Sequence, residues 1–333
     1  MKLHIGLAFV ALTALLAAGA ACSSSLAGEG EGEGEGEGEG EGEGEGEGEG
    51  EGEGDINPTD PDEILFQEGL ALYSAVPPDY AGAQAKFDQL VATYPVSPRH
   101  DNAGYLAGVC RYEQGSYASA ITVLTAMRAA HPASPLIDAA AYYTGKSRFQ
   151  LGQFVDAIVD FQACLAADPA GLYVDNASYF IGRSQYEAGL LADAATSLAS
   201  FEADFPSSTF IDNGRYYEGR AYFGQALWSQ ALGPFSRVFQ TAGSIYADNA
   251  QFYTGRCQYR LGQLTEAVAS FDELQLSYPT SQYVDNSLDY EARADADLGD
   301  CAAAHGALTV LQTSFPGSPS IATAESYVLP ICP

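Results

Sequence analysis

The chain has 333 residues, with 44 acidic against 14 basic side chains and a formal charge of −30. Thirteen of the acids alternate with glycine in one run, Glu29 to Glu53, and the 279 residues from Asp55 onward still carry 31 acids against 13 bases. A body this acidic argues against nucleic-acid binding, which needs clustered Lys and Arg on the phosphates, and against adhesion to an anionic lipid surface.

Residues 1–21 are predicted to be an export signal: Lys2 near the start, an apolar stretch from Ile5 to Leu16, then small residues. That apolar segment is too short to favour retention as a membrane span. Cys22 follows, ahead of Ser23-Ser24-Ser25, and the arrangement resembles the bacterial lipoprotein signal. The resemblance implies that Cys22 is lipidated and becomes the mature N-terminus, and that Ser23, rather than Asp, directs the product to the outer membrane. Gly19 stands where the signal prefers Leu. The other reading is cleavage after Ala20 and release of a soluble protein.

Residues 22–61 then read as a tether. Glu29 to Gly54 has no apolar side chain to bury, its glycines are costly to order and its glutamates repel one another, so disorder is expected. A Gly-rich chain of this length reaches about 30 Å, and self-repulsion extends it. A calcium-buffering role would need a preorganised oxygen cage, which alternating Glu and Gly do not supply.

From Asp101 a pattern of 37 residues governs the chain. Asp101-Asn102-Ala103 recurs at Asp138, Asp175, Asp212, Asp248 and Asp285, with spacings of 37, 37, 37, 36 and 37. With each Asp as position 1, position 8 is Gly108, Gly145, Gly182, Gly219 and Gly255; position 15 is Gly115, Gly152, Gly189, Gly262 and Gly299, with Ala226 the exception. Position 20 is alanine in all six units, position 24 is Leu or Phe, and position 32 is proline except at Gly243. Positions 1–14 are predicted to form a helix opened by an Asp N-cap or first-turn acid, ended by the glycine at 15. Positions 17–30 form a second helix that the proline stops. Gly at 8 and Ala at 20 are expected to face each other where the two helices touch.

These residues resemble the tetratricopeptide repeat, whose unit has about 34 residues; the extra ones here fall in the loop after the proline. The resemblance implies an all-α, right-handed superhelical solenoid over residues 62–320, of about seven helix-turn-helix units starting near 64, 101, 138, 175, 212, 248 and 285. The first unit is divergent, keeping Ala83, Phe87 and Pro95 but with Pro77-Pro78 at its inter-helix turn. Residues 321–333 begin an eighth unit and are expected to form a capping helix.

In this family the first helix of each unit lines the inner surface, with positions 2, 5, 9 and 12 facing in, a spacing that is itself one helical stripe. Position 2 is Asn102, Asn176, Asn213, Asn249 and Asn286; position 5 is Tyr105, Tyr142, Tyr179, Tyr216 and Phe252. Position 9 is Lys146, Arg183, Arg220, Arg256 and Arg293; position 12 is Tyr112, Phe149, Tyr186, Phe223 and Tyr259. Asn bonds a peptide backbone, aromatic rings give rigid contact area and Arg pairs bidentately with carboxylates. Together they describe a groove for a protein or peptide segment, acidic or ending in a free C-terminus. The alternative is that each Arg pairs with acids of adjacent repeats and each Tyr packs between helices.

Cys301 opens the second helix of the last full unit and Cys332 lies near the end; a bond between them would staple the cap in an oxidising compartment. Cys110, Cys164 and Cys257 read as buried packing thiols. No catalytic motif and no Cys/His metal-ligand spacing occurs, so no enzyme, metal or cofactor is expected. The Asp-Asn-Ala openings and the Tyr-Pro-x-Ser type of ending (Tyr278 to Ser281) are similar to Gram-negative envelope proteins, namely the lipoprotein of the outer-membrane β-barrel assembly machine and the Tol-Pal-associated cell-division coordinator. Two functions follow. One is a lipid-anchored scaffold of the outer membrane, facing the periplasm or the cell surface. The other is a soluble periplasmic binder of small-molecule or peptidoglycan-derived ligands.

Overall fold

A computed structural model describes residues 59–239, 241 and 243–333; the expected export signal, the lipidated Cys22 and the Glu-Gly tract lie outside them. The described residues form fifteen α-helices and no strand. They are α1 (Pro61–Tyr73), α2 (Tyr80–Thr93), α3 (His100–Glu113), α4 (Tyr117–Ala130), α5 (Ile137–Gln150), α6 (Phe154–Ala167), α7 (Val174–Glu187) and α8 (Leu191–Asp204). Then come α9 (Ile211–Gly224), α10 (Trp228–Phe239), α11 (Ala247–Arg260), α12 (Leu264–Ser277), α13 (Val284–Leu298), α14 (Cys301–Ser314) and α15 (Ser320–Ile331). Odd-numbered helices up to α13 are the first helices of seven repeats, each followed by its second helix, and α15 packs on α13 and α14. Two compact units divide the chain, one ending at Phe180 and one starting at Ile181, within α7.

The five repeats with glycine at position 8 are held by the same contact there. The glycine at position 8 makes room for the residue at 24 rather than for the alanine at 20: an added Cβ would lie 2.7 Å from Phe161 at Gly145 and 2.6 Å from Leu198 at Gly182. The expected facing of Gly and Ala is therefore corrected, because the side chain at 24 reaches across the hairpin and fills the notch. The alanines at 20, from Ala120 to Ala304, are fully buried beside it. Position 15 closes the hairpin with a left-handed residue, φ +71 to +80 at Gly115, Gly152, Gly189, Gly262 and Gly299, and φ 59 at Ala226.

The aspartate at position 1 lies in the first turn and is not the N-cap. Its Oδ1 accepts the next backbone N–H at 2.8 Å in Asp101, Asp175, Asp248 and Asp285. Its Oδ2 accepts from a serine hydroxyl in the loop ahead of the next repeat, at 2.6 Å for Ser134 on Asp101, Ser281 on Asp248 and Ser318 on Asp285. The same serine accepts the N–H two residues on, as Leu136 to Ser134 and Tyr283 to Ser281 at 3.2 Å. The loop after the proline, which lengthens the unit, is thus the clasp between consecutive repeats. Where Gly171 replaces the serine, Asp138 lacks that bond and burial pushes its carboxyl up.

Candidate functional site

The four stripe positions on the first helices have distinct surroundings. The rings at position 5 are core: Tyr142, Tyr179, Tyr216 and Phe252 are 0–4% exposed. Three of them stack on the aromatic residue that stands two before the next repeat's Asp, Tyr142 on Tyr173, Tyr216 on Tyr246 and Phe252 on Tyr283, each with ring centroids 4.6 Å apart. The asparagines at position 2 serve the same seam. Asn176 donates to the Tyr142 hydroxyl at 3.2 Å, Asn213 to Tyr246 at 3.2 Å, and Asn249 to Tyr216 at 3.3 Å and Tyr283 at 3.4 Å. Asn286 accepts from Ser320 at 3.0 Å, and the Asn102 backbone N–H donates to Asp101. Of the two readings open for the tyrosines, packing between repeats describes their surroundings, because a ring sealed by the next repeat offers no face to a partner.

The cations at position 9 stand over aromatic rings. Each lies over the position-6 ring of the following repeat: Lys146 over Phe180 at 5.0 Å, Arg183 over Tyr217 at 3.7 Å, Arg220 over Tyr253 at 4.6 Å and Arg256 over Tyr290 at 5.2 Å. Arg293 lies over Tyr327 of the capping helix at 5.5 Å. The position-12 ring of the preceding repeat closes the other side, Tyr112 on Lys146 at 5.6 Å, Tyr186 on Arg220 at 5.6 Å and Phe223 on Arg256 at 4.7 Å. A guanidinium between two ring faces is stabilised by their quadrupoles while its edge keeps its donors for a hydrogen-bond acceptor.

Those donors differ along the stripe. Arg183 pairs with Glu187 at 2.8 Å, and Arg293 grips Asp289 at 2.6 and 2.7 Å. Arg220 donates to the Tyr216 hydroxyl at 2.6 Å. Arg256 has no carboxylate partner among the described residues, and its buried Nε has no hydrogen-bond partner. Arg99, Arg111, Arg128, Arg148, Arg215 and Arg237, all off the stripe, pair with acids.

Sequence reasoning missed the rings at position 6 and those two before each Asp. Their signal was present in the tandem aromatics Tyr142-Tyr143, Tyr179-Phe180, Tyr216-Tyr217 and Phe252-Tyr253 and in Tyr173, Tyr246 and Tyr283, all on the repeat spacing. Cys301 and Cys332 form a disulfide with Cα atoms 5.3 Å apart. The thiols of Cys110, Cys164 and Cys257 are buried, and desolvation pushes each up to about 12, away from reactivity.

A helical-hairpin array with this register is a tetratricopeptide-repeat fold, the class that serves as a scaffold for protein interaction. Residues 79–135 match a tetratricopeptide-repeat family model, and residues 137–293 match the model of the YfiO family, described as an outer membrane lipoprotein. No curated protein matches the chain in sequence. Among solved structures, part of a repeat protein from Cytophaga hutchinsonii is similar with a TM-score of 0.59 and 19% identity, over 79% of this chain and 97% of that one. A tetratricopeptide repeat protein from Parabacteroides merdae is similar at TM-score 0.51 and 12% identity, over 80% and 98% of the two chains. PilF of Pseudomonas aeruginosa gives TM-score 0.50 and 15% identity over 68% and 96%. These likenesses show the fold. No helix among the described residues is long and apolar enough to cross a membrane.

Proposed function

We propose that the protein is a non-enzymatic scaffold lipoprotein of the bacterial cell envelope, which captures an acidic protein segment on the first-helix stripe. Residues 1–21 are its export signal, Cys22 its lipid anchor to the outer membrane, and residues 22–61 the tether that carries the repeats of residues 62–320, capped by 321–333. The match of residues 137–293 to an outer membrane lipoprotein family supports the anchored, periplasm-facing reading. The Cys301–Cys332 disulfide supports an oxidising compartment.

The observation that carries the binding role is Arg256. It is held between Phe223 and Tyr290 with its guanidinium unneutralised in a protein whose other arginines, with few exceptions, meet an acid. A partner carboxylate would complete it with a charge-assisted pair. Arg256→Met keeps an apolar stem in the aromatic slot and removes only the charge. Crosslinking pull-down from intact cells is expected to lose the captured protein in Arg256→Met while Tm falls by only about 2–4 °C, the cost of about 1 kcal/mol of cation–π attraction. Unchanged capture would refute the assignment. Capture of cell-wall sacculi in place of protein would favour the peptidoglycan-ligand reading. Radiolabelled palmitate, lost in Cys22→Ser, tests the anchor.

A further inference from the structure

Where the second helix of one repeat meets the first helix of the next, positions 25 and 11 share a slot. In the first unit the slot holds Asp88 on α2 and Arg111 on α3, with one guanidinium nitrogen donating to both carboxylate oxygens at 2.8 and 3.0 Å. The two residues are 23 apart in sequence. The same spacing, in the same register, puts Asp272 on α12 at the position of Asp88 and Asp295 on α13 at that of Arg111, near enough for the charge of Asp272 to act on Asp295. Here the slot has an acid on both sides.

Asp295 is 5% exposed, and no hydrogen bond or ion pair holds its carboxylate among the described residues. One turn earlier on α13, Glu291 accepts from the Gln275 side-chain amide of α12 at 2.5 Å. Asp300, which follows α13, caps α14 by accepting the Ala303 N–H at 3.0 Å. Burial pushes Glu291 up to about 7; burial, then the charges of Asp300 and Asp272, push Asp295 up to about 6. The single arginine of α13, Arg293, is already held by Asp289.

Elsewhere the chain meets this need itself. Glu218 occupies the place in its repeat that Glu291 occupies in the last, and it has Arg237 at 3.0 Å. Asp160 has both Arg128 and Arg148, at 3.2 and 2.9 Å. At the α12–α13 junction the acids are present, and among the described residues no arginine or lysine pairs with Glu291 or Asp295. No three of the described acids, histidines and cysteines are grouped to hold a metal ion, so a compact divalent cation does not fit. A guanidinium or ammonium on a flexible stem does, by entering the slot as Arg111 does.

We infer that the junction of α12 and α13, at Asp272, Glu291 and Asp295, is a receptor for a cationic side chain, an arginine or lysine presented by another polypeptide. Such a group would give the Asp295 carboxylate the partner that it lacks among the described residues, and a planar guanidinium has donors enough for Asp272 as well. This inference stands apart from the carboxylate site at Arg256 and would survive its failure.

The test follows the Gln275 side-chain amide by NMR in the ¹⁵N-labelled full chain, with that resonance assigned by its loss in Gln275→Leu. The probe is N-acetyl-Gly-Arg-Gly-amide. The expected result is a saturable shift whose half-saturation is at least about five-fold weaker in Asp295→Asn, the loss of about one charge-assisted hydrogen bond. Asp295→Arg should show no saturable shift and a higher Tm, because it rebuilds the Asp88–Arg111 pair. Asp193→Asn, an exposed acid of α8, should leave the titration unchanged. The same unsaturable drift in wild type and Asp295→Asn overturns the site, whether or not Asp295→Arg folds. Saturation by spermidine but not by the peptide overturns the polypeptide assignment.

Discussion

The two compact units are built on one repeat, yet their first-helix stripes differ at position 9. Up to Phe180 that position is Leu72, Val109 and Lys146; from Ile181 onward it is Arg183, Arg220, Arg256 and Arg293. In the first unit the neighbouring rings close on one another: Tyr143 meets Tyr105, Tyr112, Tyr142 and Tyr173 with centroids 5.4–6.1 Å apart. Val109 is 1% exposed in the same core cluster, and burial drives the Tyr105 and Tyr143 phenols well above their ordinary range. In the second unit each gap between rings admits a guanidinium. An aromatic stripe therefore suffices to join repeats, and the arginines add charge to it: Arg183 and Arg293 meet an acid one turn on or back in their own helix, whereas Arg256 has no carboxylate partner among the described residues.

The largest effect should come where the units agree. Tyr142→Ala and Tyr216→Ala each remove a buried ring that stacks on the next repeat, and each should cost about 3–5 kcal/mol. Denaturant unfolding measures this. Equal losses would show that position 5 is core in both units, whereas an unchanged midpoint with weakened partner capture would return the tyrosines to the binding surface.

A smaller, asymmetric effect is expected at position 9. Lys146→Met in the first unit should shift stability by less than about 1 kcal/mol and leave capture intact, because its charge is sealed at 5% exposure among Tyr112, Tyr142 and Phe180. Arg256→Met should cost a similar amount of stability but abolish capture. If Lys146→Met also abolished it, the functional division between the units would fail.

How much of this could be read from the sequence depends on what periodicity carries. The helical hairpins were legible because Asp, Gly, Ala and Pro recur for local reasons: first-turn charge, a left-handed turn, close packing, helix termination. The stripe of positions 2, 5, 9 and 12 was legible as one helical face. Which of its members stay accessible was not, because that depends on the next repeat. Tyr246, two residues ahead of Asp248, is what covers Tyr216, and Tyr253 is what receives Arg220. Likewise the serine clasp on Asp101 and Asp248 is a contact across a loop, and helical spacing does not reach it. The notch at Gly145 was assigned to Ala157, when Phe161 fills it.

Acid titration separates the units in a further way. Glu218, Glu291 and Asp295, all after Ile181, are raised to about 7, 7 and 6, chiefly by burial. Their unfolded values are about 4, so between these limits the native state holds more protons than the unfolded chain, and stability falls as pH rises. In the first unit Asp160 is also raised by burial, but Arg148 and Arg128 oppose the shift. Going from pH 8 to pH 6 should therefore stabilise residues 181–333 by about 3 kcal/mol and residues 59–180 by less. Hydrogen exchange, corrected for intrinsic rates, should slow more in α9 and α13 than in α5. The opposite order would mean that these acids are solvated in the folded protein.

The smallest effect concerns the turn between helices. Gly115 and Gly152 close the hairpins of the first unit at φ +71, while Ala226 closes one in the second at φ 59. An L-residue with a Cβ is strained there by about 1–2 kcal/mol, and glycine recovers part of that against its greater freedom in the unfolded chain. Ala226→Gly should then stabilise by about 0.5–1 kcal/mol, raising Tm by about 1–3 °C, and Gly115→Ala should lower it by a similar amount. Nothing lies within 4 Å of a Cβ added at Gly115, so the change isolates backbone conformation from crowding. Opposite signs in the two variants tie the cost to φ alone; the same sign in both would mean that the fifth hairpin has relaxed around its alanine.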